Sequence, residues 1–232
     1  MKLVAAGSRI LLSRLGQVAA FAAVALLVAD RLGPEGQGRY SLTLALAMIV
    51  AATLNAGVGL AAVPPLRRGD VPPARLLRAQ ALWIAAVMLL LALLLVVGAV
   101  TGAGAGLARE LGWSPVSAVA VLLAVAALVT FDVVNYDLLA AGHLLLGAGV
   151  NLVRGMGHLL LVGLLVAAGA LDLTGAVVAW AAAQVFSATY LARRFSRSVA
   201  EPAATHPRTS RGPAGAAAVP PVPPPAPPAA AA

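Results

Sequence analysis

Uninterrupted apolar runs constrain this chain more than any motif in it. Six of them cover about residues 10–29, 42–63, 79–100, 116–139, 144–170 and 173–191. Each approaches the roughly 20 helical residues needed to cross a hydrocarbon core about 30 Å thick. Inside lipid the backbone must satisfy its own hydrogen bonds, and these runs lack the strict alternation of barrel strands. The expected fold is therefore all-α, a six-transmembrane-helix bundle over residues 1–197 followed by a disordered Pro- and Ala-rich tail over 198–232. Composition points the same way: 61% of the residues are hydrophobic, 10% are charged and the mean hydropathy is +0.95, whereas soluble domains carry about 25% charged residues. The chain has no cysteine, which removes disulfides, thiol chemistry and Cys-ligated metals and leaves packing to hold the bundle together.

The first run follows Lys2, Arg9 and Arg14, as a cleaved signal peptide would. Its apolar stretch exceeds the roughly 7–15 residues of a signal core, and Leu32-Gly-Pro-Glu-Gly-Gln-Gly38 after it reads as a turn, so the segment is expected to be retained. The charge of +8 arises from 15 Arg and one Lys against eight acids. In a membrane chain such a surplus reports orientation and anionic headgroups rather than nucleic acid. With a cytosolic N-terminus, Lys2, Arg9, Arg14, Arg67, Arg68, Arg75, Arg78, Arg193, Arg194, Arg197, Arg208 and Arg211 fall on the cytosolic side, against Arg31, Arg39 and Arg109 opposite, a bias of 12 to 3. Both termini are then cytosolic, and the Ala-, Gly- and Arg-rich composition suggests the plasma membrane of a high-GC bacterium.

Between the second and third runs, PPLRRGDVPPARLLR (64–78) joins two Pro-Pro pairs to four Arg. The prolines are expected to keep this connection out of any helix. It reads as a topology anchor at the anionic leaflet, or as a gate that touches substrate. The tail contains PPVPPPAPP and has almost nothing to bury, so it is expected to be polyproline-like or disordered.

Ionisable groups enter the apolar runs in one stretch, Phe131 to His158, which reads as two helices joined by a turn near Ala141 and Gly142. Counted outward from that turn, Asp132 mirrors Asn151, and Arg154 lies one helical turn deeper, roughly 4.5 Å. Asn151, Arg154 and His158 follow i, i+3, i+7 spacing, and Asp132 and Asn135 share a face of the preceding helix. Arg154 sits ten residues in from Leu144, ~15 Å deep and near the midplane. A cation there costs roughly 2.5–3.5 kcal/mol to insert, so it must be paired or hydrated.

Two readings of Arg154 stand. It forms a structural ion pair with Asp132, or it is the cationic wall of a hydrated cavity for an anion, whose phosphate a guanidinium fork matches. Asp132, with Asn135, is either the partner that makes Arg154 tolerable or a coupling site for a proton or ion. Arg14 and Gln17 form another i, i+3 pair, with Arg14 placed to snorkel to the interface. Asn55, Gln184 and Ser187 read as interhelical hydrogen-bonding groups, and Gly147, Gly149, Gly155, Gly157, Gly163 and Gly169 as points of close helix approach or bending.

Enzyme signatures are missing. There is no His-Glu-x-x-His, Gly-x-Ser-x-Gly or Walker loop, and His143, His158 and His206 are scattered. Neither a catalytic role, a metal nor a cofactor is expected.

Ser13-Arg-Leu-Gly16, Arg31-Leu-Gly-Pro-Glu-Gly-Gln-Gly-Arg-Tyr-Ser41 and Asn55-Ala-Gly-Val-Gly-Leu60 together resemble the first two spans of bacterial polysaccharide flippases. These form the O-antigen and exopolysaccharide branch of the multidrug/oligosaccharidyl-lipid/polysaccharide exporter superfamily, known as MATE-like. The turn 138–143 and the run 144–191 resemble the fourth to sixth spans of that family, so the likeness covers about residues 8–195. It implies flipping of an anionic isoprenoid-linked glycan by alternating access, with Arg14 and Arg154 as cavity cations; Asn151, on the polar stripe of Arg154, is the further substrate-binding candidate that the spacing gives. Family members carry two six-helix lobes, about twice this length. A single lobe implies a homodimer, a separately encoded second lobe or a truncated copy. A non-transporting scaffold for a polysaccharide-assembly complex is the alternative, and a multidrug antiporter is a third reading, disfavoured by basic rather than acidic walls.

Overall fold

The computed structural model describes residues 2–200 other than 56, 69, 103 and 141–143. Among them are seven helices and no strand: α1 (Lys2–Asn55), α2 (Val58–Arg68), α3 (Pro73–Thr101), α4 (Ala105–Leu111), α5 (Pro115–Ala140), α6 (Leu144–Ala167) and α7 (Leu173–Ala200). Five of these, α1, α3, α5, α6 and α7, are long and apolar enough to cross a membrane. The architecture is that of an all-α, multi-pass membrane protein. The 198–232 tail was expected to begin after Arg197, but α7 runs on to Ala200; residues 201–232 lie outside the described ones.

Six separate spanning helices were expected, and the structure corrects that number. The first two runs belong to one element, α1, whose backbone departs from helical geometry at Gly33 (φ 69°, ψ −178°). A left-handed φ of this kind is strained for residues bearing a Cβ. Pro34 follows, and its missing N–H and fixed φ suit the first position of a new helical arm. The expected turn over residues 32–38 is thus reduced to a single residue. The chain reverses there, since Phe21 from one arm and Met48 from the other border the same cavity.

The second run also ends early. α1 stops at Asn55, Gly57 takes φ +78°, and α2 begins at Val58. Contrary to expectation, Pro64 and Pro65 lie inside α2. They are tolerated because only one turn follows them, and because Leu60 and Ala61, whose carbonyls lose their usual donors, are exposed. The Asp70 N–H closes the end of α2 on the Pro65 carbonyl at 3.0 Å.

Caps fix the other boundaries. The Ser114 hydroxyl accepts the Ser117 N–H at 3.1 Å at the start of α5, and the Asp172 carboxylate accepts the Gly175 N–H at 2.6 Å at the start of α7. At that same end of the bundle, Trp113 Nε1 donates to Thr43 Oγ1 at 2.9 Å, and Ser114 bonds Thr174 at 3.2 Å.

The core lies where α5 and α7 meet and where α6 packs on α1. Ala124, Val129 and Val133 of α5 join Val24, Val28 and Ala47 of α1, Val162 of α6, and Val177 and Trp180 of α7. Small residues bring α1 and α6 together. A Cβ added to Gly155 would stand 3.3 Å from Gln17 Cα, one added to Gly16 would stand 2.7 Å from Leu152, and the Ser13 hydroxyl donates to the Ala148 carbonyl. Gly147 is equally close to Asn135, whereas Gly149, Gly157 and Gly163 have open space beside them. Close approach is therefore local, not a property of the whole sixth helix.

Candidate functional site

α5 and α6 are the two helices expected over Phe131 to His158, and the turn expected near Ala141 and Gly142 lies outside the described residues. α6 packs chiefly on α1 and α7, and the polar stripe of α6 meets side chains from all of these elements. Arg154 Nη2 donates to Asn151 Oδ1 at 2.8 Å, and Nη1 donates to Gln184 Oε1 of α7 at 3.3 Å. Its guanidinium carbon stands 4.6 Å from the centroid of the Phe131 ring, a cation–π contact from α5.

The ion pair that would have made Arg154 purely structural does not form: among the described residues no carboxylate lies within ion-pair distance of it. Asp132 is half-buried and within Coulombic range, as is Arg14. Amide oxygens and a ring face hold the guanidinium in place without cancelling its charge. Arg154 Nε is buried and unpartnered.

Beside this group opens a cavity of about 480 Å³ between α1, α5, α6 and α7. Most of its lining is apolar, from Phe21, Leu44, Ala45, Met48, Leu128 and Trp180, and Gln17, Ser41, Arg154 and Gln184 supply the polar groups. Chemically it offers one fixed cation and three neutral hydrogen-bonding side chains, a combination suited to an anion with hydroxyls around it.

The expected site residues are brought together unevenly. Arg154 borders the cavity. Asn151 is 3% exposed, and both ends of its amide are occupied: Nδ2 donates to the Gly147 carbonyl at 3.1 Å and Oδ1 accepts from Arg154. It orients the guanidinium. Arg14 is exposed on α1 and is not part of the wall; Gln17, one turn along, is. Asn135 packs against Gly147, away from Arg154's polar contacts. Gln184 is an interhelical hydrogen-bonding group as expected. Ser187 is not, because its hydroxyl bonds the carbonyls of Ala183 and Gln184 in its own helix.

Two buried polar pairs escaped the sequence reading. Tyr40 Oη and His158 Nε2 lie 2.9 Å apart, with Phe21 edge-on to the imidazole at 5.8 Å. Residues 118 apart in sequence leave no periodic trace of such a contact. Gln80 Nε2 of α3 donates to Asp137 Oδ1 at 3.2 Å, and both residues are buried. A lone Gln entering the apolar run of α3 was the available signal. Among the described residues no group of three or more His, Asp or Glu side chains converges to hold a metal.

No protein-family model, curated protein or solved structure matches this chain.

Proposed function

We propose that the chain is a membrane transport component that moves an anionic lipid-linked oligosaccharide or polysaccharide precursor across a bacterial plasma membrane. The observation that carries this reading is Arg154. It is a cation on a membrane-length helix, beside a cavity of about 480 Å³, bonded to amides and not to a carboxylate. Inserting such a charge near the midplane costs roughly 2.5–3.5 kcal/mol, a cost that packing alone does not require the chain to bear. A phosphate entering the cavity meets a guanidinium already oriented by Asn151 and Gln184, so little ordering remains to be done on binding. In this reading Asp132 is the group through which a proton or ion couples to the cycle, with Asn135 on the same helix face.

The MATE-like resemblance enters here too. With the two arms of α1 counted as separate crossings, the five long helices make six passes, and the start of α1 and the end of α7 lie on one side. The basic surplus makes that side cytosolic. Two copies related by an axis along the membrane normal, or a second lobe, would complete a two-lobed transporter.

The test is flipping of a lipid-linked glycan in reconstituted vesicles. Arg154→Ala is expected to reduce flipping at least tenfold, the worth of about 1.4 kcal/mol, and Arg14→Ala, outside the wall, to leave it near the wild-type rate. Undiminished flipping in Arg154→Ala would remove the cavity from the mechanism. A scaffold predicts a different outcome: capture of a glycan polymerase or transferase that survives both substitutions and is lost on deleting the residues after Arg197.

A further inference from the structure

A second concavity lies on a different face of α7 from the one that meets Arg154, between α3, α5 and α7, with a volume of about 610 Å³. This falls within the roughly 300–1,000 Å³ of ligand pockets. Its walls are apolar for most of their length, with Leu77 of α3, Leu123 and Ala127 of α5, and Val185 and Ala192 of α7. Thr130 and Thr189 also line it; the Thr130 hydroxyl is turned back onto the Ala126 carbonyl at 2.8 Å, so the exposed Thr189 is the one uncharged polar side chain the middle of the groove presents.

Polarity gathers at one end, where Arg193 and Ser196 complete the wall. Arg193 is exposed, and among the described residues no carboxylate is in ion-pair range of it. The adjacent Arg194 is engaged: its Nε donates to Tyr190 Oη at 3.1 Å and its guanidinium stacks on that ring. From Val185 to Ser196 the groove runs eleven residues along α7, or ~16 Å of helical rise. That is about half of a ~30 Å hydrocarbon core. The dimension is one leaflet deep, and the cation stands at the mouth, two residues beyond the apolar run that ends at Leu191.

We propose that this groove is a binding site for an anionic phospholipid of the surrounding leaflet, with an acyl chain along α3, α5 and α7 and the phosphate on Arg193. A single leaflet-deep apolar trough ending in a guanidinium that no carboxylate among the described residues pairs matches that amphiphile in both length and charge. The same end of the bundle carries exposed Arg75 and Arg78 near the start of α3, which raises the local concentration of anionic headgroups. The site is independent of the Arg154 cavity, because Trp180 and Gln184 face that cavity while Val185 and Ala192 face this groove.

The experiment is native mass spectrometry of the full chain released from bilayers of equimolar phosphatidylglycerol and phosphatidylcholine, with circular dichroism confirming helix content. The wild type is expected to retain phosphatidylglycerol over phosphatidylcholine by roughly fivefold, the worth of one cation near an anionic surface. Arg193→Gln abolishes the preference, and Thr189→Trp, at an exposed position that lines the groove, fills it and lowers retention of both lipids. Arg109→Gln, at an exposed position on α4, leaves the preference intact. An unchanged preference in Arg193→Gln, or equal loss in Arg193→Gln and Arg109→Gln, overturns the site. Displacement of the lipid by inorganic phosphate overturns it as well, since the recognised group is then a free anion.

Discussion

Arg154, Asn151 and Gln184 show how a charge is kept usable in an apolar setting. A carboxylate at contact would have satisfied the guanidinium and cancelled it; two amide oxygens and a ring face orient it and leave its charge in place. The Tyr40–His158 contact is different in kind, since both partners are buried and His158 Nδ1 has no partner among the described residues. Tyr40→Phe leaves the imidazole without its remaining partner while nearly conserving volume. It is expected to destabilise the protein by about 1–3 kcal/mol, the cost of orphaning a buried polar group, visible as a lower thermal midpoint in detergent. An unchanged midpoint would mean that the pair is not a stabilising contact. The polar residues of α6 were legible in the sequence because i, i+3, i+7 spacing survives any tertiary arrangement. Their partners were not, because Gln184 and Tyr40 come from elements whose placement no local pattern encodes.

At the scale of elements, helix approach is set by individual glycines. The Gly155 position faces Gln17 Cα and Ala20 Cβ of α1, whereas Gly157, two residues on, has nothing within 4 Å. Gly155→Leu is therefore expected to push α1 and α6 apart at a cost of about 1–3 kcal/mol, as overpacked sites do, and Gly157→Leu to be tolerated. Thermal melts of the two variants separate these outcomes; equal effects would contradict the local character of the contact. Helix ends show the same dependence on single residues. Pro34, Pro73 and Pro115 each sit where a helix or arm begins, which their fixed φ permits. Pro64 and Pro65 broke the expectation because they sit near the end of a helix of eleven residues, where the two carbonyls they leave without donors, those of Leu60 and Ala61, belong to exposed residues.

Across the whole molecule, the capping and side-chain contacts sort the elements into two ends. Trp113–Thr43 and Ser114–Thr174 mark one, with Ala105 close by in sequence; Ser13–Ala148 and Gln80–Asp137 mark the other, near Ala74. Since the chain contains no cysteine, single-cysteine variants report topology directly. In right-side-out vesicles Ala105→Cys is expected to react with an impermeant maleimide and Ala74→Cys to be protected, with the pattern reversed in inside-out vesicles. Labelling of both from the same side would refute the proposed topology and the positive-inside assignment with it.

The sequence by itself determined that this is an all-helical chain for a bilayer, because runs of apolar residues report the solvent they are built for, whatever their neighbours. It also marked Arg154 as the expensive residue, since depth along a helix follows from counting. Tertiary structure alone decided that α1 folds at Gly33 as one element, that α6 lies against α1 and α7, and that amides surround the guanidinium in place of Asp132. Those outcomes depend on which faces meet, and the runs are apolar on nearly every face, so periodicity could not choose among partners.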